Sequence, residues 1–144
     1  MKKALALGLV CTLFLTGCGG KKLTCTMSET EDGMTGERKV VLTFDKEGKE
    51  IQKGTVTMNI KIDEEYASYL GLLVASVESV YEDIKDFADV EVKSSDDSIS
   101  TKVSYKVDGL TEEQLDKLDI ASVYKDTTYE ETKEQFEDMG FTCK

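Results

Sequence analysis

From Lys22 onward, apolar and polar residues alternate, and Leu23, Cys25 and Met27 share one face of an extended segment. Residues 29–36 are polar and include Gly33 and Gly36, which predicts a loop. Alternation resumes from Glu37 to Asp45, with Val40, Leu42 and Phe44 on one side, and Asp45-Lys46-Glu47-Gly48 reads as a turn. Lys49 to Ile62 is predicted as a long strand. Val56, Met58, Ile60 and Ile62 point inward, Thr55, Thr57, Asn59 and Lys61 point outward, and Gly54 interrupts the pattern as a β-bulge would.

At Asp63 the period changes from two residues to about 3.6. Tyr66, Leu70, Leu73, Val77, Val80, Ile84 and Phe87 follow at helical steps, and Tyr69, Val74 and Tyr81 widen the stripe. Asp63 suits an N-cap, with Glu64 and Glu65 at the positive end of the dipole, so one long helix is predicted to about Phe87. Asp89–Lys93 and Ile99–Val107 return to strand alternation. Thr111 with Gln114 makes a capping box, and Leu110 with Leu115 a hydrophobic staple, for a short helix from Glu112. Thr128 with Glu131 opens another helix, which stops at Gly140 so that Phe141 folds back on Phe136. Phe141 to Lys144 is left as an extended tail.

The order β-β-β-α-β-β-α-α predicts an α+β fold. Its antiparallel sheet has five strands, with the long helix and two shorter C-terminal helices packed on one face. The other face, rich in Thr, Ser and Lys, is left to solvent.

The first 18 residues follow a different pattern. Lys2 and Lys3 precede an eleven-residue apolar run, Ala4 to Phe14, which ends in Leu15-Thr16-Gly17-Cys18. The run is too short for a bilayer span, which needs about 20 apolar residues. A charged start, a short apolar stretch and a Leu-x-Gly-Cys close are a lipoprotein signal and lipobox. They predict a signal peptide over residues 1–17 and diacylglyceryl modification of the Cys18 thiol. Residues 18–22 form an acylated tether and 23–144 a single domain. The protein is then lipid-anchored at the cell membrane, on its extracytoplasmic face.

Loss of Lys2 and Lys3 takes the formal net charge from −11 to −13. The excess is uneven: Cys18–Ile62 is net +1, Asp63–Leu110 net −8 and Thr111–Lys144 net −6. Nucleic acid is excluded as a partner, since phosphate binding needs a basic footprint. The near-neutral end is the tethered one, and an acidic domain is repelled by anionic headgroups, so the first strands are expected nearest the bilayer.

Histidine is absent, which removes Ser-His and Cys-His nucleophiles and most zinc sites. No Gly-rich phosphate loop follows a strand, no cofactor is expected, and a non-enzymatic role is. Glu78, Glu82 and Asp86 recur at i, i+4, i+8 on the long helix. A solvated acidic face accounts for them better than a calcium site, because no ligand loop accompanies them. Cys25 and Cys143 remain as thiols in an oxidising compartment. A disulfide between them would tie the first strand to a tail that otherwise frays. Two buried free thiols are the alternative.

The lipobox, Leu23-Thr24-Cys25-Thr26 soon after it, the strand end at Phe44-Asp45, the long central helix and the closing Gly140-Phe141-Thr142-Cys143 together resemble the YehR-type small bacterial lipoproteins, a family of unknown function. The resemblance implies the α+β fold and the pairing of Cys25 with Cys143. It brings no catalytic or binding residues. The expected function is a non-catalytic binding module for a peptide, protein or envelope component. The alternative is an accessory or inhibitory subunit of a membrane complex.

Overall fold

The computed structural model describes residues 20–118 and 127–144. Residues 1–17, Cys18 and Gly19, where the signal, the lipidation site and the start of the tether are expected, lie outside these. Of the tether expected over 18–22, Lys22 already belongs to the first strand. The described chain folds as an α+β unit with one antiparallel sheet of six strands and three α-helices. Its elements are β1 (Lys22–Glu31), β2 (Met34–Phe44), β3 (Ile51–Ile62), a 3-10 segment (Glu64–Tyr69), α1 (Leu70–Glu82), β4 (Asp89–Ser94), β5 (Ser98–Lys106), α2 (Glu112–Lys117), α3 (Tyr129–Asp138) and β6 (Thr142–Cys143). The strands lie in the order β4-β5-β3-β2-β1-β6.

The expected sheet had five strands; the sixth is the C-terminal tail. Thr24 and Lys144 exchange both backbone hydrogen bonds, at 3.0 and 2.8 Å, which makes the tail a strand beside β1. The predicted loop over 29–36 is also a strand pair. β1 and β2 continue to Glu31 and Met34, and the two-residue connection is Asp32-Gly33, with φ of 46° and 77°. A tight primed turn demands that backbone, and its twist matches that of the strands it joins.

The bulge falls opposite Thr43 and Phe44, where Gln52 is the extra residue, and not at Gly54. Gly54 instead lies under Tyr105. A β-carbon there would overlap the phenol ring and hydroxyl.

The long helix is shorter than expected. Asp63 makes no side-chain cap, its first turns are 3-10, and the α-helix ends at Glu82. Glu78, Glu82, Asp83 and Asp86 crowd its C-terminal end, and no basic residue lies in its last turn to offset the negative pole of the dipole. The chain proceeds in turns that still deliver Ile84 and Ala88 to the core. The apolar stripe is therefore split. Leu70 and Ile84 are buried and Leu73, Val74, Val77 and Tyr81 half-buried, whereas Tyr69 and Val80 are 63–70% exposed, as is Leu72 (71%), which lies off the stripe.

The inner sheet face follows the alternation. Leu23, Cys25, Val40, Leu42 and Phe44 pack with Phe136 and Phe141 of the α3 region. Val103 and Tyr105 pack with Ile84, Ala88 and α2's Leu115. Ile62 and Ile99 pack with Leu70. Both capping boxes form, Thr111 with Gln114 and Thr128 with Glu131. At Gly140 (φ 94°) Phe141 donates its N–H to the Phe136 carbonyl at 3.0 Å, and the two rings meet edge to face, centroids 5.0 Å apart. That is the hydrogen bonding and apolar contact of a Schellman stop.

Candidate functional site

Cys25 and Cys143 are joined in a disulfide. They oppose each other across β1 and β6 with Cα atoms 4.1 Å apart, between the hydrogen-bonded pair Thr24–Lys144 and Thr26–Thr142. Opposed residues that exchange no backbone bonds approach most closely in an antiparallel ladder, which lets two short side chains meet there. The bridge is structural: it holds the short β6 against β1.

Beyond Thr26, β6 ends and nothing among the described residues pairs with that side of Met27–Glu31. Since Thr24 directs its backbone groups toward β6, the same alternation aims the N–H and C=O of Ser28 and Thr30 at the open edge. Beside this edge the inner face is uncovered. Met27, Met34, Arg38, Met58 and Ile60 line a hollow of about 320 Å³, with Glu29 and Glu31 at its rim. The register places Met27, Arg38 and Met58 in one row across β1, β2 and β3. Ile60 packs with the cluster under α1, and Met27 with the one under α3, so the hollow lies between the two helices' footprints. Met34 is 42% exposed and the other apolar residues are half-buried.

Three of the four methionines after residue 17 are here. Flexible thioether side chains adapt to the shape of a partner, and they recur at surfaces that accept varied apolar groups. The loop expected over residues 29–36 hid this site. The signal that would have revealed it is Asp32-Gly33 between two alternating segments, a two-residue hairpin signature.

The outer sheet face has a different chemistry. Lys22, Lys39, Lys53, Lys61, Lys93, Lys102, Lys106 and Lys144 alternate out from the inward positions, against Glu37, Asp89 and Glu91. Lys93 donates to Glu91 at 3.1 Å, and this hydrogen bond is the main cause holding the Glu91 carboxyl below its ordinary range. Lys53 and Lys106 are direct cross-strand neighbours. Like charges in that position repel. The acidic excess is thus carried mainly by the helices, turns and loops, and the charge of the domain is segregated.

Glu78, Glu82 and Asp86 are exposed on and just beyond α1, and Lys85 reaches Glu82 at 2.7 Å. No group of three or more His, Cys, Asp or Glu able to hold a metal ion comes together among the described residues. A further hollow, about 450 Å³, lies between the 85–89 turn and the ends of β3 and β5, and Tyr105 lines it. The Tyr105 hydroxyl is buried without a hydrogen-bond partner, and burial pushes its pKa up to about 12. Gly20 is already docked: a β-carbon on it would overlap the Phe44 carbonyl, and Lys21 and Phe44 are joined by a backbone hydrogen bond of 2.8 Å. No described helix is long and apolar enough to cross a membrane.

No family model and no curated protein matches the chain. Two solved structures resemble it. One is the NMR structure of a protein from Streptococcus pneumoniae TIGR4, at 13% identity and a TM-score of 0.61, covering 100% of this chain and 96% of that one. The other is the NMR structure of the E. coli YehR protein, at 14% identity and a TM-score of 0.49, covering 86% of this chain and 91% of that one. The chain thus shares its fold with the S. pneumoniae protein, and E. coli YehR is a second structural neighbour.

Proposed function

We infer that the chain is a membrane-anchored, extracytoplasmic binding module that takes an extended segment of a protein partner along the free edge of β1. One observation carries this reading: the open edge at Met27–Glu31 runs beside the methionine-lined hollow. A strand added there would bond to Ser28 and Thr30 and place every second side chain on the inner face beside Met27, at the mouth of the hollow. Backbone bonds give affinity in this mode, and alternate side chains give selectivity. Sheet edges are normally blunted by lysine, proline or brevity. β4, the opposite edge, is six residues long and alternates charged Asp89, Glu91 and Lys93 outward. The β1 edge has no lysine or proline from Thr24 to Glu31. Glu29 and Glu31 at the rim favour a segment in which apolar residues are flanked by a cation.

The module binds without catalysis: the chain has no histidine, and a flat edge with an adaptable apolar floor supports docking over chemistry. Anchoring at Cys18 rests on the lipobox, and the localisation at the cell membrane follows from it. The reading as an accessory or inhibitory subunit of a membrane complex draws support from the docked Gly20, which would hold the domain close to the bilayer.

The test is affinity capture from envelope extract by the acylated protein and two variants. Ser28→Pro removes the outward N–H and leaves the β1–β2 ladder in place, because proline is tolerated where the N–H faces an open edge. Met34→Asp charges the hollow. A partner held by the wild type and released by both variants is expected. Equal capture by all three would refute edge docking.

A further inference from the structure

We propose that the outer sheet face seats on the anionic phospholipid headgroups of the bilayer that carries the Cys18 anchor, with the row Lys22, Lys53 and Lys106 nearest the lipid. This rests on the anchoring part of the function proposed above. Four observations converge on it.

The first is position. Lys22, Thr43, Lys53 and Lys106 form one row across β1, β2, β3 and β5, at the end of the sheet where the chain enters from residue 19. Gly20 shares a hollow of about 500 Å³ with Lys46, Lys53 and Lys106, alongside Asp45 and Asp108. The second is reach. Because Gly20 is docked, Gly19 alone separates it from Cys18, about 7 Å of extended chain. Gly20, which shares that hollow with Lys53 and Lys106, therefore stands within a Debye length, about 8 Å at physiological salt, of the surface that holds the acyl chains.

The third observation is cost. Lys53 and Lys106 are opposed across two strands with no ion pair to either among the described residues, an arrangement that weakens the sheet. Phosphate headgroups would relieve it. The fourth is segregation. The next outward row, Thr24, Val41, Thr55 and Ser104, ends on Asp89. The row after it brings Lys39 and Lys102 to the same face, flanking Thr57, with Glu91 beside Lys102, while α1, α2 and α3 pack on the opposite side of the sheet. A domain of net charge −13 gains from an anionic surface only in this orientation, basic face down and acidic helices away. The methionine hollow on the inner face is then turned outward, open to a partner.

The experiment uses the full acylated protein on vesicles of neutral phosphatidylcholine, or of phosphatidylcholine with phosphatidylglycerol. Lysines are labelled with a membrane-impermeant amine reagent and read by peptide mass spectrometry. On anionic vesicles, labelling at Lys53, Lys102 and Lys106 should slow by about three-fold or more relative to Lys117, and high salt should reverse it. Lys53→Glu/Lys106→Glu, two exposed changes, should abolish the slowing at Lys102 while the protein still floats with the vesicles. Flotation on both vesicle types with one labelling pattern would overturn the seating and leave the anchor standing. Failure to float on neutral vesicles would overturn the anchor and the seating together. Equal slowing by soluble polyphosphate, added to protein on neutral vesicles, would overturn the bilayer as the occupant.

Discussion

Cys25 and Cys143 lie 118 residues apart in sequence and directly opposite each other across the edge of the sheet, Cα atoms 4.1 Å apart. Without that bond, β6 would be held by a two-residue ladder and the Phe136–Phe141 contact. Cys143→Ser should lower stability by about 2–5 kcal/mol. Denaturant melts with and without reductant, together with non-reducing peptide mapping, check this. Free thiols at both positions and no effect of reductant would refute it.

Gly54 and Tyr105 make a second pair whose chemistry is separable. Gly54→Ala should cost on the order of 1–3 kcal/mol, because the overlapping ring is buried and has little room to yield. Tyr105→Phe removes a hydroxyl that has no partner and should be neutral or stabilising. If both substitutions were equally harmful, the close approach would not be the constraint.

Tyr105 also predicts a dependence on alkali. Its folded pKa is raised to about 12, above the value of about 10 for an exposed tyrosine. The folded state therefore keeps its proton longer than the unfolded one. The associated stability is present below pH 10 and is lost as pH rises from about 10 toward 12. Tyr105→Phe should flatten that part of the stability–pH curve. A wild-type curve of unchanged shape in the variant would refute the assignment.

The Thr128 cap of α3 gives the opposite sign. Hydrogen bonds from the Thr128 backbone and side chain hold the Glu131 carboxyl below its ordinary range. This contribution is present above the ordinary carboxylate pKa and is lost as pH falls through the lowered one. Thr128→Ala should cost about 0.5–2 kcal/mol and let Glu131 titrate nearer its usual value, as followed by NMR of its side-chain carboxyl. An unmoved Glu131 would show that the box does not set its charge.

The two sides of α1 and of the turns that follow it should respond unequally. Leu70→Ala and Ile84→Ala remove buried side chains and should cost about 2–4 kcal/mol, whereas Leu72→Ser and Val80→Ser should fall within about 0.5 kcal/mol. Leu73 and Val77, half-buried, belong in between. Equal effects across the set would mean that α1 does not pack as described.

What could be read in advance was whatever local pattern decides. Alternation identified the inward residues Val40, Leu42, Phe44, Val103 and Tyr105, and capping chemistry found the starts of α2 and α3 and the stop at Gly140. Long-range pairing decided the rest. The tail became a strand because Lys144 met Thr24, and no period over two residues announces that. Helical spacing also overstated α1. Spacing counts Tyr69 and Val80 as readily as Leu70, but one sheet can cover only one side of a helix. The methionine hollow was illegible for a related reason. It is the part of the inner face that α1 and α3 leave bare, and that depends on where two helices stop.

The placement of β1 between β2 and β6 has a mechanical consequence. A pull on the N-terminal end runs along the strand and must slide it past both neighbours, so the ten-residue ladder with β2 shares the force at once. At Cys25, three residues in, the disulfide passes the load covalently to the C-terminal tail and through Phe141 to α3. Force-spectroscopy traces from the N-terminus should therefore show a lower rupture force under reductant. With the bond closed, the strand cannot be drawn out of the sheet without taking the other end of the chain along. A domain loaded at one terminus is in effect gripped at both.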